Sequence, residues 1–238
     1  MPTVFTGRQA LASRMVVGFS LRSAWRTGMI GYGGGTTNKE QVAQLDKAGW
    51  GMMIGPVNPK RSVLRYAVDN GAFPAWVKKQ PWDEAKFLKM LDRVQTFERK
   101  PDFVVCPDIV AAGPRSMEFS MAWRDRLPKD WPCYLAVQDG MTTCGVLAVL
   151  DRFDGIFVGG TDVWKRESSP LWAKLARAEG KKLHVGRINS LQGAFIQGKV
   201  VGADSIDGNN WNRTWLNNQK PDRVMADTQL PLDLWGIR

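Results

Sequence analysis

The stretch RYAVDNGAFPAW (residues 65–76) runs from a short apolar segment, Tyr66–Val68, directly into a carboxylate, Asp69, and a turn at Asn70–Gly71. An apolar segment of this length that is bounded by turn residues is typical of a buried strand. One aspartate after a strand is ordinary turn chemistry. Its meaning for the fold and the function depends on whether the pattern recurs along the chain.

The same pattern, a short apolar run that ends in a turn, occurs eight times. Amphipathic stretches with helical spacing separate most of the runs, among them NKEQVAQLDKAG (38–49), WDEAKFLKMLDRVQTFE (82–98) and SPLWAKLARAEG (169–180). Alternating strands and helices imply a parallel sheet, and eight strands favour a closed (β/α)8 barrel, a TIM barrel, in the α/β class. The predicted strands are Met29–Tyr32, Met52–Gly55, Arg65–Asp69, Phe103–Asp108, Cys133–Gln138, Gly155–Gly159, Lys182–Arg187 and Ala203–Asp207.

The link between the second and third strands, PVNPKRSVL (56–64), is short and rich in proline, so we expect the barrel to be irregular there. An open doubly wound sheet is the alternative fold, but no G-x-G-x-x-G follows the first strand. The GYGGG at 31–35 lacks the Lys-Ser/Thr of a P-loop and is interpreted as a turn. The residues predicted to cap helix N-termini are Asn38, Asp83, Ser116, Thr142 and Ser169.

Hydrophobic residues make up 44% and charged residues 24%, which are values typical of a globular protein. The length of 238 residues fits one large domain or two small ones, and because α/β barrels commonly reach this length as one unit, we predict a single domain over residues 1–238. The net charge of +10 favours a polyanionic partner such as nucleic acid, although solubility alone also explains a basic surface. No apolar run reaches the roughly 20 residues of a membrane span, and the N-terminus has no apolar leader. We therefore expect a cytoplasmic protein.

Cysteine and histidine are too few for most metal or triad chemistry. Cys106, Cys133 and Cys144 have no C-x-x-C spacing, and His184 is the one histidine, inside the apolar run KLHVGRI. A zinc site would need all four of them, so we predict no metal, and a Ser-His-Asp triad is disfavoured. We expect His184 to be structural and the chemistry to belong to carboxylates.

Polar residues and glycines follow the predicted strands at positions that a barrel would gather on one rim. They are Asp69 after the third strand, Asp108 after the fourth, Gln138-Asp139 after the fifth, Gly159-Gly160 after the sixth, and Asp204 and Asp207 in GADSIDGNNW (202–211) at the eighth. The C-terminal ends of barrel strands carry the sites of barrel enzymes. The sequence thus predicts that several aspartates face one another across a single mouth.

From about Gly31 to about Trp215, the chain resembles the tRNA-guanine transglycosylase superfamily, most closely the DpdA-type DNA 7-deazaguanine transglycosylases of phages and some bacteria. The resemblance rests on an ordered series, DNGAF, VCPDIV, AVQDG, FVGGTDVWK, LHVGRINS and GADSIDG, each at a predicted strand end. It implies a barrel core at about 29–215, followed by a C-terminal extension at 216–238. The zinc subdomain of the tRNA-acting members, with its C-x-C-x-x-C…H pattern, is absent from the sequence, which favours the DNA-acting branch.

The resemblance implies an exchange of guanine in DNA for a free 7-deazaguanine base, without a cofactor. Asp207 matches the nucleophile and Asp69 the general acid/base. The residues that match substrate contacts are Asp108, Gln138, Gly159 and Gly160. Alternatives are a tRNA transglycosylase, a base-excising glycosylase, and a non-catalytic nucleic-acid-binding barrel, which the presence of both Asp69 and Asp207 disfavours.

Further candidates come from position alone. Trp164 and Trp211 lie near the predicted rim and are the candidates for stacking on a base, whereas most of the other tryptophans, such as Trp123 and Trp172, lie in helical patterns typical of the core. Asp204 either shapes the site or is structural, and Asp139 and Asp162 are interpreted as loop residues. Near the rim, Lys165, Arg166 and Arg187 are candidates for contacts with phosphate, and a solvated face is the alternative for them.

Overall fold

A computed structural model of the protein describes residues 28–57 and 64–211. Eight parallel strands close into a barrel in sequence order, with β8 paired to β1. They are β1 (Ile30–Gly34), β2 (Gly51–Ile54), β3 (Tyr66–Val68), β4 (Val104–Val105), β5 (Cys133–Val137), β6 (Gly155–Val158), β7 (Lys182–Val185) and β8 (Ser205–Gly208). The predicted TIM barrel is confirmed, each strand within three residues of its expected bounds, and the open sheet is wrong.

Helices follow most of the strands and pack on the outside of the barrel. They are α1 (Lys39–Lys47), α2 (Ala72–Val77), α3 (Glu84–Gln95), α4 (Pro114–Arg124), α5 (Thr143–Leu147), α6 (Asp162–Ala178) and α7 (Leu191–Phe195), which continues as a π-helical turn, Ile196–Val201; a 3-10 turn, Leu150–Arg152, follows α5. Between β2 and β3 the described residues form only a turn, and residues 58–63 lie outside them. Within the described ranges no helix is long and apolar enough to cross a membrane.

Three of the five predicted N-caps are confirmed, since Asn38, Asp83 and Thr142 accept backbone N–H groups of α1, α3 and α5. Ser116 and Ser169 instead lie inside helices and are buried. The Ser116 hydroxyl accepts from the Ile109 amide, and the Ser169 hydroxyl donates to the Lys165 carbonyl. Both serines therefore bond to backbone groups other than a helix N-terminus.

Helix α6 begins seven residues before the predicted start, so Asp162 is its first residue and the expectation of a loop there is wrong. The prediction placed Pro170 in the first turn, where proline is best tolerated. The observed helix carries Pro170 in its interior, because a buried face at helical spacing, formed by Lys165, Ser169, Trp172 and Ala176, holds the segment against the barrel.

A separate set of aromatic side chains fills the inside of the barrel. The rings of Phe103 and Tyr134 stack at 4.2 Å with an interplanar angle of 6°, and Tyr32 packs edge-on against Phe103. At the N-terminal end the Tyr32 hydroxyl and Arg65 Nε both donate to Asp102 Oδ2 at 2.8 Å. These contacts close the base of the barrel, so that its C-terminal mouth is the end that can receive a ligand.

Outside the sheet, Gly31 on β1 faces the indole of Trp50, which is 2% exposed. A Cβ at position 31 would lie 2.2–2.4 Å from three atoms of that ring. We expect Gly31→Ala to lower the free energy of unfolding by about 1–3 kcal/mol, because the packed indole cannot retreat without strain. Denaturant unfolding at an unchanged slope measures the effect.

The matched control is Gly28→Ala, since a Cβ at position 28 meets no described atom within 4 Å. Equal stability of the two variants would show that Trp50 does not pack against β1 as described.

Candidate active site

A cavity of about 840 Å³ opens at the C-terminal mouth of the barrel. Every strand contributes at least one residue to its lining, at or just beyond its C-terminal end. In strand order, one such residue from each is Gly34, Gly55, Asp69, Asp108, Gln138, Gly159, Arg187 and Asp207. The structure therefore brings Asp69, Asp108, Asp207, Gln138, Gly159 and Gly160 together around one space, as the strand-end pattern predicted for the rim.

Asp69 follows β3 and is half-buried beneath the mouth. The pKa of its carboxyl is raised to about 7, mainly by burial and in addition by the charges of Asp207 and Asp108, against the opposing effect of the Gly71 and Asn70 N–H groups. A carboxyl group with this pKa is partly protonated at neutral pH. Asp69 can therefore give up a proton and take one back under physiological conditions.

Asp108 is 5% exposed and lies in a cage of amides. Asn70 Nδ2 donates to its Oδ1 at 2.6 Å, and Gln138 Nε2 donates to its Oδ2 at 2.5 Å. Burial raises the pKa of Asp108 to about 6, while the two amide hydrogen bonds oppose that rise. The two amide hydrogen bonds fix the orientation of the Asp108 carboxyl group, and with it the direction of the lone pairs that can still accept a hydrogen bond.

The amides of that cage are themselves held by the protein. Gln138 Oε1 accepts from the N–H groups of Gly160 at 3.0 Å and Ala111 at 3.2 Å. Asn70 also donates to the Cys106 carbonyl at 2.9 Å and accepts from Ala72 N–H at 2.8 Å. We expected Gln138 to contact a ligand, but both ends of its amide bond to groups of the protein. Asn70 also belongs to the site, although the sequence pattern indicated only a turn at this position.

One oxygen of Asp207 is anchored by two donors. Its Oδ1 accepts from Arg187 N–H at 3.1 Å and lies 3.0 Å from His184 Nε2. No described residue donates to Oδ2. This arrangement fixes the carboxyl group while leaving one oxygen directed to other partners.

His184 is fully buried, and both its ring nitrogens are bonded, as expected of a structural histidine. Its Nδ1 lies 2.8 Å from the hydroxyl of Ser205, and its ring stacks on Phe157 at 4.8 Å. In a hydrolytic triad the serine is exposed to the substrate. Here Ser205 is 4% exposed and Asp207 reaches the cavity, so the serine anchors the histidine and the histidine anchors Asp207.

Arg187 lies across one side of the cavity. Its guanidinium donates to the Gly160 carbonyl, lies 3.4 Å from Asp162 and sits 3.9 Å above the ring of Phe73. Its backbone has φ = 59°, a left-handed conformation that is costly for a residue with a side chain. That conformation accompanies the N–H bond to Asp207, which links the backbone at position 187 to the candidate nucleophile.

Several residues that we expected at the site lie elsewhere. Asp204 precedes β8 at the opposite end of the barrel, where it accepts from Lys182 Nζ and Leu183 N–H at 2.9 Å, so it does not shape the cavity. Trp211 is 1% exposed and packs edge-on against Trp50 at 5.5 Å, behind the sheet. Both expectations were wrong. Bonds to Lys182 and Leu183 of β7 set the position of Asp204, and packing against Trp50 sets that of Trp211, and the local sequence shows neither contact.

Lys165 and Trp164 are turned toward the interior by α6. The ammonium of Lys165 is buried, donates to the Gly186 carbonyl at 2.6 Å and pairs with Asp162 at 3.2 Å, which does not fit a contact with phosphate. Burial lowers the pKa of Lys165. Trp164 packs against Trp172 at 6.0 Å and is not part of the cavity lining, whereas Arg166 is exposed on α6.

In the described part of the chain, no group of three or more His, Cys, Asp or Glu side chains has an arrangement that could hold a metal ion. Cys106 and Cys133 are buried and Cys144 is exposed, and all three are free thiols.

Comparison with solved structures shows the TIM-barrel fold. Tryptophan synthase from M. tuberculosis, in an aminoacrylate-bound form, is 10% identical over 88% of this chain and 95% of that chain, with a TM-score of 0.50. A mandelate oxidase variant with a C4a-OH-FMN adduct is 15% identical over 84% of this chain and 71% of that chain, with a TM-score of 0.52. No protein-family model matches this chain, and no curated protein matches its sequence. At these identities the likeness concerns the fold alone.

The raised pKa of Asp69 makes the stability of the protein depend on pH. Below about pH 4 the carboxyl is protonated in both the folded and the unfolded states. As the pH rises toward about 7, the unfolded state loses this proton first, so the free energy of unfolding falls. We expect Asp69→Asn to leave stability at pH 4 nearly unchanged and to raise it at pH 8, by on the order of 2 kcal/mol after allowance for solvent screening.

Denaturant unfolding of the two proteins across this pH range gives the comparison. Asp151→Asn, at an exposed position outside the cavity, controls for the substitution itself. A stability difference that does not grow between pH 4 and pH 8 would contradict the raised pKa.

Proposed function

We propose that the protein is a DNA-guanine transglycosylase, a member of the superfamily that it resembles, which exchanges guanine in DNA for a 7-deazaguanine base. The observation that carries the proposal is a pair of carboxyl groups with different environments in one cavity. Asp69 has a pKa of about 7, and Asp207 is anchored through one oxygen by His184 and Arg187. Two carboxyl groups in environments as different as these can take different roles in one reaction. Asp69 is suited to proton transfer and Asp207 to nucleophilic attack.

The first half of the reaction forms a covalent intermediate. Asp207 Oδ2 attacks C1′ of the target nucleotide, and the bond between C1′ and the guanine nitrogen breaks, its electron pair leaving with the base. Protonated Asp69 donates its proton to the departing guanine and becomes a carboxylate. The result is a glycosyl ester on Asp207, with inverted configuration at C1′.

The second half reverses these roles with a different base. Ionised Asp69 removes a proton from the incoming 7-deazaguanine, whose nitrogen attacks C1′. The ester bond breaks, and its electron pair returns to Asp207. Two inversions give net retention, and Asp69 ends protonated and ready for the next cycle.

Base recognition in this proposal centres on Asp108. A guanine-like edge presents an N1–H and an exocyclic amine, and a carboxylate accepts from both. Asn70 and Gln138 hold Asp108 in place from behind, so Gln138 is a positioning residue here and the Gly159–Gly160 turn is tied to it. A Cβ would lie 2.6 Å from Gln138 Nε2 at position 159 and 2.6 Å from the Trp164 ring at position 160, so the packing of the protein itself requires glycine in this turn.

The net charge of the protein and the enclosed shape of the cavity bear on which nucleic acid can be the substrate. The net charge of +10 favours a polyanionic substrate, and exposed Arg166 lies on a helix that starts at the mouth. A base inside a duplex cannot reach a cavity enclosed by eight strand ends, so the target guanine must be flipped out or single-stranded. DNA is proposed in preference to tRNA because the resemblance of the sequence is greatest to the DNA-acting branch of the superfamily.

The test of the mechanism is base exchange in guanine-containing DNA that is incubated with a candidate 7-deazaguanine and analysed by mass spectrometry of the nucleosides. We expect Asp207→Asn to abolish exchange and also the denaturation-resistant protein–DNA adduct, because an amide is a poor nucleophile of nearly the same shape. Asp69→Asn should reduce exchange by about 100- to 10,000-fold, the range typical of a lost acid/base.

The matched control is Asp204→Asn, which changes an aspartate at the other end of the same strand and should exchange bases at close to the unmodified rate. Exchange by Asp207→Asn at that rate would refute the nucleophile assignment. An adduct with tRNA and none with DNA would keep the chemistry and refute the choice of substrate, while release of guanine without incorporation would indicate a base-excising glycosylase.

A further inference from the structure

Residues 71–81 leave the mouth of the barrel and return to it, and we call this segment the mouth excursion. It begins at Gly71, beside Asp69, and contains the short helix α2. Trp82 follows it directly, and the indole N–H of Trp82 donates to the Asn70 carbonyl at 2.8 Å. Both ends of the mouth excursion are thus fixed next to a residue that holds Asp108, and the segment protrudes at the entrance of the cavity.

The tip of the mouth excursion, WVKKQP (76–81), is exposed at every position. Trp76 is 49% exposed and Val77 is 57% exposed. The neighbouring Trp82 packs instead against the rings of Phe87 at 5.4 Å and Trp123 at 5.2 Å. Trp82, directly after the segment, is thus packed and partly buried, whereas Trp76 within it is exposed. A large exposed aromatic surface next to a cavity is a feature of binding sites.

A row of flat groups connects Trp76 to the candidate nucleophile. The ring of Phe73, which lines the cavity, lies 5.8 Å from that of Trp76 at an angle of 32°. The guanidinium of Arg187 covers Phe73 at 3.9 Å, and the backbone N–H of the same arginine donates to Asp207. A strand of nucleic acid that placed one nucleotide at Asp207 would bring its neighbours out along this row.

Two cations complete the tip. Lys78 and Lys79 follow Trp76 and Val77 directly, and both are exposed. Exposed aromatic rings beside lysines are the combination by which proteins hold single-stranded nucleic acid, the rings stacking on bases and the ammonium groups pairing with phosphates.

We propose that the mouth excursion binds the single-stranded DNA segment that flanks the nucleotide held in the cavity, with Trp76 stacked on a neighbouring base and Lys78 and Lys79 against its phosphates. This inference rests on the proposed function, since it takes its ligand from the DNA substrate. It adds a DNA-binding surface outside the cavity and outside the residues that perform the chemistry.

Fluorescence anisotropy with a labelled, single-stranded 12-nucleotide DNA that contains one guanine tests the role of Trp76. We expect Trp76→Ala to weaken binding by roughly 10-fold or more, and Trp76→Tyr to restore most of the affinity, because any aromatic ring can stack. Leu171→Ala, which removes a similarly exposed apolar side chain from the outer face of α6, is the control and should bind like the unmodified protein.

The lysines are tested through the salt dependence of binding. Replacing Lys78 and Lys79 by Gln should reduce the slope of log K against log salt by up to about 1.4, since each single-strand phosphate contact contributes about 0.7. The control is the same change at Lys86 and Lys89, an exposed pair on α3. Equal reductions in the two pairs would refute the assignment of the phosphates to the mouth excursion.

The outcomes separate this inference from the proposed function. If the protein binds DNA and exchanges bases but Trp76→Ala binds with unchanged affinity, the proposed DNA-binding role of the mouth excursion is refuted and the proposed function is not. A protein that binds no single-stranded DNA at all would refute the DNA substrate as well. Binding that depends on Trp76 with RNA of the same sequence, and does not occur with DNA, would overturn the choice of DNA for both.

Discussion

Closing eight parallel strands into one ring forces their C-terminal ends to surround a single small space. Three of those ends carry carboxyl groups that line the same cavity, Asp69, Asp108 and Asp207. Burial raises the pKa values of Asp69 and Asp108, and the charges of Asp207 and Asp108 add to the rise at Asp69. Many of the other groups at the mouth stabilise these carboxyl groups by donating hydrogen bonds to them.

Those groups are mostly amides and backbone N–H donors, and each is held by another strand. Asn70 and Gln138 bond Asp108 from either side, and Gln138 is fixed in turn by two backbone N–H groups. Asp207 Oδ1 accepts a hydrogen bond from the N–H of Arg187 and lies within hydrogen-bond distance of His184 Nε2. A neutral amide stabilises the buried Asp108 carboxylate without supplying a full opposite charge, so this carboxyl group is held in position while burial keeps its pKa raised.

The interior of the barrel supports this arrangement from below. Aromatic side chains fill the space under the mouth, and the Tyr32–Asp102–Arg65 cluster closes the far end. His184 belongs to both parts, since its ring stacks on Phe157 within the barrel while Nε2 reaches Asp207. A rigid, packed floor of this kind holds the carboxyl groups in one geometry, which nucleophilic and acid/base chemistry requires.

The sequence by itself determined the strands, the starts of α1, α3 and α5, the barrel, and the placement of Asp69, Asp108 and Asp207 on one rim, because apolar periodicity and turn chemistry are local properties of the chain. Only the tertiary structure decided that Asp204 lies at the opposite end, that Trp211 and Lys165 face inward, and that Asn70 holds Asp108. The bond between His184 and Ser205 arises because β7 and β8 pair in a register that sets these two residues side by side. Such contacts join positions more than twenty residues apart, and their geometry follows from strand register and helix rotation, which no local pattern encodes.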